Sequence, residues 1–252
     1  MLSDVSLTIY LTFGLISILA LYYFLKIILT PLSLGGKRGL ARVVGLAIGF
    51  WLIVHMSMAY NGFYMASFDL PPRILAAIAP WMILMTLGIV LAWKGQYLKQ
   101  LSLRALTYIN IFRLPLEFIV FAGLASAAYL PEIMTFRGNN FDILVGLTAP
   151  IIGYLYFTRK TISWKVLLAW NVISLVFLIN ITFTAILAFP YAFQLFGINQ
   201  PNIAILHFPF ILLPTLLVPI AYFCHITSII KLIRYPECRN IIDKKEPNLD
   251  QA

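Results

Sequence analysis

Long apolar runs alternate with short polar connections along this chain. A helix needs about 20 apolar residues to cross the hydrocarbon core of a bilayer. Seven runs come close to that length, at 5–29, 40–60, 74–93, 105–130, 141–158, 166–189 and 203–230. None alternates apolar and polar residues as the strands of a membrane barrel do. The pattern predicts an all-α bundle of seven transmembrane helices over residues 1–234, followed by a polar, disordered tail over 235–252.

The composition supports a membrane protein. Of the 252 residues, 62% are hydrophobic and 11% are charged, whereas soluble domains average about 45–50% apolar and about 25% charged residues. Too few polar residues remain to cover a water-soluble globule, which excludes a soluble enzyme and a DNA-binding domain. The net charge of +9 comes from basic residues between apolar runs, where they meet lipid headgroups. We therefore expect the lipid bilayer, and no nucleic acid, as partner.

Lys and Arg are distributed unevenly between the two sets of connections. The connections after the second, fourth and sixth runs contain only Arg73 and Arg137. Arg113 lies within a run. Because cytoplasmic loops are rich in Lys and Arg, this places the N-terminus outside and the C-terminus in the cytoplasm. The remaining basic residues lie in alternate connections and the tail: Lys26, Lys37, Arg38, Arg42, Lys94, Lys99, Arg104, Arg159, Lys160, Lys165, Lys231, Arg234, Arg239, Lys244 and Lys245.

The fourth run contains two ionisable residues, Arg113 and Glu117, in the stretch NIFRLPLEF. Charged residues are costly in hydrocarbon and usually mark a functional site. A spacing of four places both on one helical face, and Arg113 lies about 13 Å beyond Arg104 at 1.5 Å per residue. Pro115 removes a backbone donor between them. Either the two form a self-satisfied ion pair that joins helices, or they line a polar pocket.

The outer connection PEIMTFRGNNFD contains more polar groups than membrane anchoring requires. We therefore expect a cavity that opens outward. Its candidate ligand-binding residues are Arg113, Glu117, Arg137, Asn139, Asn140 and Asp142.

Two of the three histidines occupy comparable positions in different runs. His55 lies five residues before Tyr60, and His207 lies five residues after Asn202. Their runs cross in opposite directions, so the two imidazoles reach a similar depth and are candidate ligands of a haem or metal ion. In the alternative interpretation, each histidine bonds a neighbouring residue.

Other polar and proline residues predict local features of the helices. Pro209, Pro214 and Pro219 predict a bent or locally unwound last helix. Asn171 and Asn180 are expected to bond across helices.

Gly45 and Gly49 form a GxxxG pattern in the second run. Small residues at this spacing allow close helix packing. The contact lies either inside the bundle or between the protomers of a homo-oligomer.

The stretches FRLPLEF, MTFRGNNFDILVGLTAP and QPNIAILHFPFILLPTLLVPIAYFCH resemble a family of multi-pass bacterial membrane proteins that has no assigned activity. The resemblance runs along most of the chain. It implies a bacterial inner membrane and transfers no catalytic residue.

Three functional hypotheses follow. The first is a carrier or receptor for a small polar or anionic solute, with Arg113 as its counter-charge. The second is a membrane redox or haem- or metal-binding enzyme that uses His55 and His207. The third is a non-catalytic scaffold subunit. No HExxH, CxxC or GxSxG motif occurs, so no catalytic residue is assigned and an enzyme is the less favoured interpretation.

Overall fold

The computed structural model describes residues 2–75, 77–80 and 97–239. The described part is helical and contains no strand. We number its long helices α1 to α6 in chain order. They are α1 (Leu7–Leu34), α2 (Arg38–Tyr60), α3 (Leu103–Ser126), α4 (Asp142–Gly153), α5 (Trp164–Leu187) and α6 (Leu213–Arg234). Shorter helical pieces are Tyr97–Gln100, Glu132–Met134, Ala204–Leu206 and Pro236–Cys238.

Five of these helices, α1, α2, α3, α5 and α6, are long and apolar enough to cross a membrane. The predicted fifth run corresponds to α4 and the π-helical turn Tyr154–Arg159 that continues it. Most of the predicted third run, 74–93, lies outside the described residues.

The predicted start of the last helix, at residue 203, is wrong. Helix α6 begins at Leu213, and the preceding residues form the 3₁₀ turn Ala204–Leu206 and further turns. Pro209 explains the difference, because a proline disfavours helical backbone at the residue before it. The residues 203–230 form one apolar run, but their backbone does not form one continuous helix.

Apolar stripes on the outer faces of the helices are exposed. On α1, Leu7, Leu11, Leu15 and Ile18 are each between 59% and 67% exposed, while Phe13, on another face, is 1% exposed. Helix α2 carries a similar stripe. Its members are Val43, Leu46, Phe50 and Ile53. Such surfaces are unfavourable in water and suit a hydrocarbon solvent, as expected for a membrane protein.

Only one of the two glycines in the GxxxG pattern of α2 lies against another helix among the described residues. A Cβ atom on Gly45 would lie 3.5 Å from Leu29 Cδ1 of α1. One on Gly49 would meet no described atom within 4 Å. Gly45 therefore faces α1, whereas Gly49 faces away from the described residues.

One end of the bundle gathers the basic connections. Tyr97 Oη donates to the carbonyl of Ile28 near the end of α1, and Lys231 Nζ of α6 donates to the carbonyls of Leu98, Lys99 and Leu101. Because these bonds join α1, α6 and the segment before α3, the ends of these elements lie on one side.

The start of the polar tail also packs at this end. Tyr235 is buried, and the carbonyl of Arg239 accepts a hydrogen bond from Tyr156 Oη at 2.9 Å. The Arg239 guanidinium lies 4.1 Å from the ring centre of Trp164. The predicted disorder therefore does not extend to 235–239, and 240–252 lies outside the described residues.

The opposite end gathers the other connections. Ser3 Oγ and Tyr129 Oη are 3.2 Å apart, and the carbonyl of Tyr129 accepts the backbone N–H of Ala204 at 2.9 Å. Tyr60, at the end of α2, packs on Phe208. The N-terminal segment and the loops after α2, α3 and α5 therefore meet on one side of the bundle.

Candidate functional site

Arg113 lies in the middle of α3 and is 1% exposed. Its Nη1 atom lies 3.4 Å from Oδ1 of Asp142, the first residue of α4. Of the two alternatives for Arg113 and Glu117, the ion pair between them does not occur among the described residues. The π-helical turn Leu116–Phe121 explains this, since its larger number of residues per turn rotates Glu117 relative to its α-helical position.

Glu117 has an amide partner instead. Asn140 Nδ2 donates to Glu117 Oε2 at 2.6 Å and to the carbonyl of Met134 at 2.9 Å. Asn140 Oδ1 accepts the backbone N–H of Asp142 at 3.0 Å, in a local turn typical of asparagine. One buried side chain therefore fixes both the start of α4 and the carboxyl group of Glu117.

Two glycines of α4 allow α3 to come close. A Cβ atom on Gly146 would collide with the backbone N and Cα of Leu114 in α3. A Cβ atom on Gly153 would lie 2.7 Å from the ring of Tyr108. Because both glycines face α3, the two helices approach closely enough for Arg113 to reach Asp142. No motif in the sequence had singled out this pair of glycines.

Prolines account for two π-helical turns beside the site. The turn Leu116–Phe121 follows Pro115, and the turn Leu213–Leu217 contains Pro214. A proline has no N–H to donate and its ring displaces the preceding turn, so the α-helical ladder widens locally. The predicted unwinding of the last helix is confirmed at Pro214.

A cavity of about 140 Å³ lies beside these residues. Its charged lining consists of Arg113, Glu117 and Asp142. Thr182 and Tyr222 also line it and bond to each other, with Tyr222 Oη 3.1 Å from Thr182 Oγ1. The other lining residues that the structure describes are apolar. This described lining is less polar than expected, with its charges confined to one group of side chains.

The guanidinium group of Arg113 retains an available donor. Its Nη2 atom is buried and has no hydrogen-bond partner among the described residues. Arginine stays charged in proteins and has five N–H donors, and a buried donor without a partner is unfavourable. An acceptor group in the cavity would remove this cost.

Four of the six predicted ligand-binding residues form one buried network: Arg113, Glu117, Asn140 and Asp142. Asn139 instead exchanges hydrogen bonds with Asn180 of α5, at 3.2 and 2.7 Å. Arg137 is exposed, and its guanidinium lies 5.8 Å from the ring centre of Phe136.

The two predicted haem or metal ligands each have a neighbour of their own. His55 Nδ1 is hydrogen-bonded to Tyr64 Oη, and burial raises the pKa of Tyr64 to about 12. His207 Nδ1 lies 2.9 Å from the carbonyl oxygen of Ile203. In the part of the chain that the structure describes, no group of three His, Cys, Asp or Glu residues could hold a metal ion. A ligand shared by His55 and His207 stays a prediction.

The predicted cross-helix bond of Asn171 is confirmed, because its Oδ1 atom lies 3.0 Å from His225 Nδ1 of α6. Asn180 instead bonds Asn139 in the loop before α4. Nothing in the spacing of His225 relates it to Asn171, so the sequence does not identify it as the partner. Thr182 and Tyr222 have no such signal either, because only the packing of α5 against α6 brings them to the cavity.

Comparison of the chain with protein-family models, curated proteins and solved structures found no match. Its function is therefore inferred from the geometry of the cavity and from the chemistry of the residues that line it.

Proposed function

We propose that this protein is a carrier or receptor for a small anionic solute with an apolar body, which binds at Arg113. The observation that carries the proposal is the cavity beside a buried guanidinium whose Nη2 atom has no partner in the described part of the chain. Hydrogen bonds from arginine to an anionic group are charge-assisted and strong. The apolar walls supply the favourable burial of a hydrocarbon group.

The size of the cavity limits the ligand. A cavity of roughly 150 Å³ in an apolar protein interior accommodates a molecule of the size of benzene, and this one measures about 140 Å³. We therefore propose a monoanion with a chain of about six carbon atoms, whose head group meets Arg113 and whose chain lies along residues such as Leu178, Ile181 and Leu217.

We propose further that the bundle has seven spans in a bacterial inner membrane, with the N-terminus outside and the C-terminus cytoplasmic. The gathering of the basic connections at one end supports this orientation. Phe68, which precedes the predicted third run, packs on Tyr191 at one end of the bundle. Tyr97, which follows that run, contacts Ile28 at the other end. These positions fit a membrane crossing by the predicted third run. Met134, Phe189 and Ile205 line the cavity near the opposite, outer loops, which supports an outward opening.

Reporter fusions test the orientation. A reporter after Ala252 should report the cytoplasm, and one inserted within 61–70 should report the outside. Both reporters in one compartment would contradict the seven-span arrangement.

Ligand binding is tested on the purified protein in detergent with three six-carbon probes: hexanesulfonate, hexylamine and hexanol. The proposal expects hexanesulfonate to raise the melting temperature and to give a measurable Kd by calorimetry. Hexanol should bind more weakly, because it lacks the charge that pairs with Arg113. Preferential binding of hexylamine would overturn the proposal, since it would show that the carboxyl groups select a cation.

Two arginine variants provide the matched comparison. Arg113→Gln should abolish binding of hexanesulfonate, whereas Arg137→Gln should leave it unchanged because Arg137 is exposed. Loss of binding in both variants would indicate a surface charge effect instead of a site. Uptake of hexanesulfonate into reconstituted vesicles would then distinguish a carrier from a receptor, since the sulfonate stays charged and does not cross lipid as a neutral acid.

A further inference from the structure

The charges around the cavity do not balance. Arg113, Glu117 and Asp142 are the charged residues among its described lining, and all three are at least nine-tenths buried. With both carboxyl groups ionised, the site carries one net negative charge. An anion at Arg113 would raise this to two negative charges within apolar walls, which is strongly unfavourable.

Among the described residues, the titratable groups of α6 that lie close enough to Arg113 to interact with its charge do not supply the missing positive charge. Two of them are Tyr222 and Cys224, whose ordinary neutral-pH forms are uncharged. His225 on α6 is occupied at Nδ1 by Asn171, and its Nε2 atom has no partner among the described residues. An imidazolium needs acceptors at both nitrogens, so His225 is best accommodated as a neutral ring.

The two carboxyl groups differ in their partners. Asp142 has the Arg113 guanidinium as a direct partner. Among the described side chains, Glu117 has only the amide of Asn140, which donates to Oε2. This bond is compatible with either an ionised or a protonated carboxyl group. When buried acids share one site, a proton on one of them relieves the repulsion. Glu117 is therefore the better position for that proton.

We propose that the site takes up one proton with each anion, and that Glu117 holds this proton. This inference rests on the proposed function and names its coupling partner. The bound anion stays ionised at Arg113, the proton from solution joins the Glu117 carboxylate, and the two added charges cancel. In a carrier, the same stoichiometry gives electroneutral symport of a proton and an anion.

Linkage determines how affinity depends on pH. Because one proton is taken up with each anion, the Kd should rise by about tenfold per pH unit on the alkaline side of the Glu117 titration. Hexanesulfonate is a suitable probe because it remains ionised throughout the accessible pH range. Any pH dependence must then come from the protein.

The test measures the Kd of hexanesulfonate from about pH 5 to pH 9 and counts protons by calorimetry in buffers of different ionisation enthalpy. We expect close to one proton per anion at the alkaline end for the unsubstituted protein. Glu117→Gln should bind with the affinity that the unsubstituted protein has in acid, and without pH dependence. Glu132→Gln, at an exposed outer acid, should keep the full pH dependence.

The possible outcomes separate the two proposals. Binding with no proton uptake and a constant Kd would overturn proton coupling and leave the anion site in place. No binding at any pH would overturn the proposed function itself. The proton count on the unsubstituted protein decides the matter even if Glu117→Gln does not fold.

Discussion

The guanidinium of Arg113 lies 3.4 Å from the carboxylate of Asp142 on another helix, although Glu117 is only four residues further along its own helix. This ion pair joins the middle of α3 to the first residue of α4. A buried pair adds little net stability, since desolvation of both ions offsets their attraction. Removing one partner is different, because it leaves an uncompensated buried charge.

The first prediction concerns this pair. Asp142→Ala or Arg113→Met alone should lower the free energy of unfolding by about 3–5 kcal/mol. The combined substitution Arg113→Met with Asp142→Leu should lower it by less than either single change. Denaturant unfolding in detergent measures all three variants. A double variant whose loss equals the sum of the two single losses would show that the residues are not coupled.

Asn140 is predicted to be structurally important although it is uncharged. Asn140→Ala removes the donor to Glu117 and the acceptor of the Asp142 backbone N–H, so we expect a loss of about 1–3 kcal/mol per orphaned group. Arg137→Ala in the same loop should change stability by no more than about 0.5 kcal/mol, because Arg137 is exposed. Equal effects in the two variants would contradict the network.

Hydropathy predicted most helices because the backbone in a bilayer has no water to hydrogen-bond with. A run of apolar residues must satisfy its own N–H and C=O groups in lipid, so it forms a helix of the required length. The predicted starts of α1, α2 and α5 lie two residues from the observed ones. Hydropathy failed at the start of α6, where residues before Leu213 are apolar but Pro209 interrupts the helix.

The sequence predicts which residues belong to the candidate site, but it does not predict which of them contact each other. Arg113 and Glu117 stand out by the cost of charge in hydrocarbon, and Asn140 and Asp142 by their polar loop. Their partners depend on how closely Gly146 lets α3 approach α4 and on the π-helical turn after Pro115. Neither feature has a periodic signal in the sequence, and the cavity exists only once the helices are packed.

The end of the bundle that gathers the basic connections offers a prediction with a definite pH dependence. Lys99 Nζ lies 2.9 Å from Glu237 Oε1, and the hydrogen bond from Lys99 to Glu237 raises the pKa of Lys99 above its ordinary value of 10.5. The charged form is thus favoured in the folded state. Its stabilising effect is complete below the unfolded pKa and is lost as the pH rises through the raised pKa.

Melting temperatures of the unsubstituted protein and of Lys99→Gln measure this effect. Their difference should be small and constant near neutral pH and should shrink above about pH 10.5. High salt should also reduce it, since the pair is accessible to solvent. Lys165→Gln, at an exposed lysine at the start of α5, provides the control and should show no such alkaline change. A difference that grows with pH would have the wrong sign for this bond.

The last prediction compares two glycines in different helices. At Gly146, an added methyl group would overlap the backbone of Leu114, so Gly146→Ala should force α3 and α4 apart. Overpacking of this kind costs about 1–3 kcal/mol. Because Gly146 lies about one turn from Asp142, the displacement should also lengthen the contact to Arg113 and weaken binding of hexanesulfonate.

Gly49→Ala is the matched control. An added methyl group there would meet no described atom within 4 Å, and alanine is the better helix former by about 1 kcal/mol, so the monomer should be as stable as before or slightly more so. Light scattering on the same samples measures the oligomeric state and so tests the predicted homo-oligomer. If Gly49 lies in its interface, Gly49→Ala should dissociate it while leaving ligand affinity intact. An unchanged melting temperature and affinity in Gly146→Ala would instead show that α3 and α4 are not in close contact, and the Arg113–Asp142 pair would have to be abandoned with that contact.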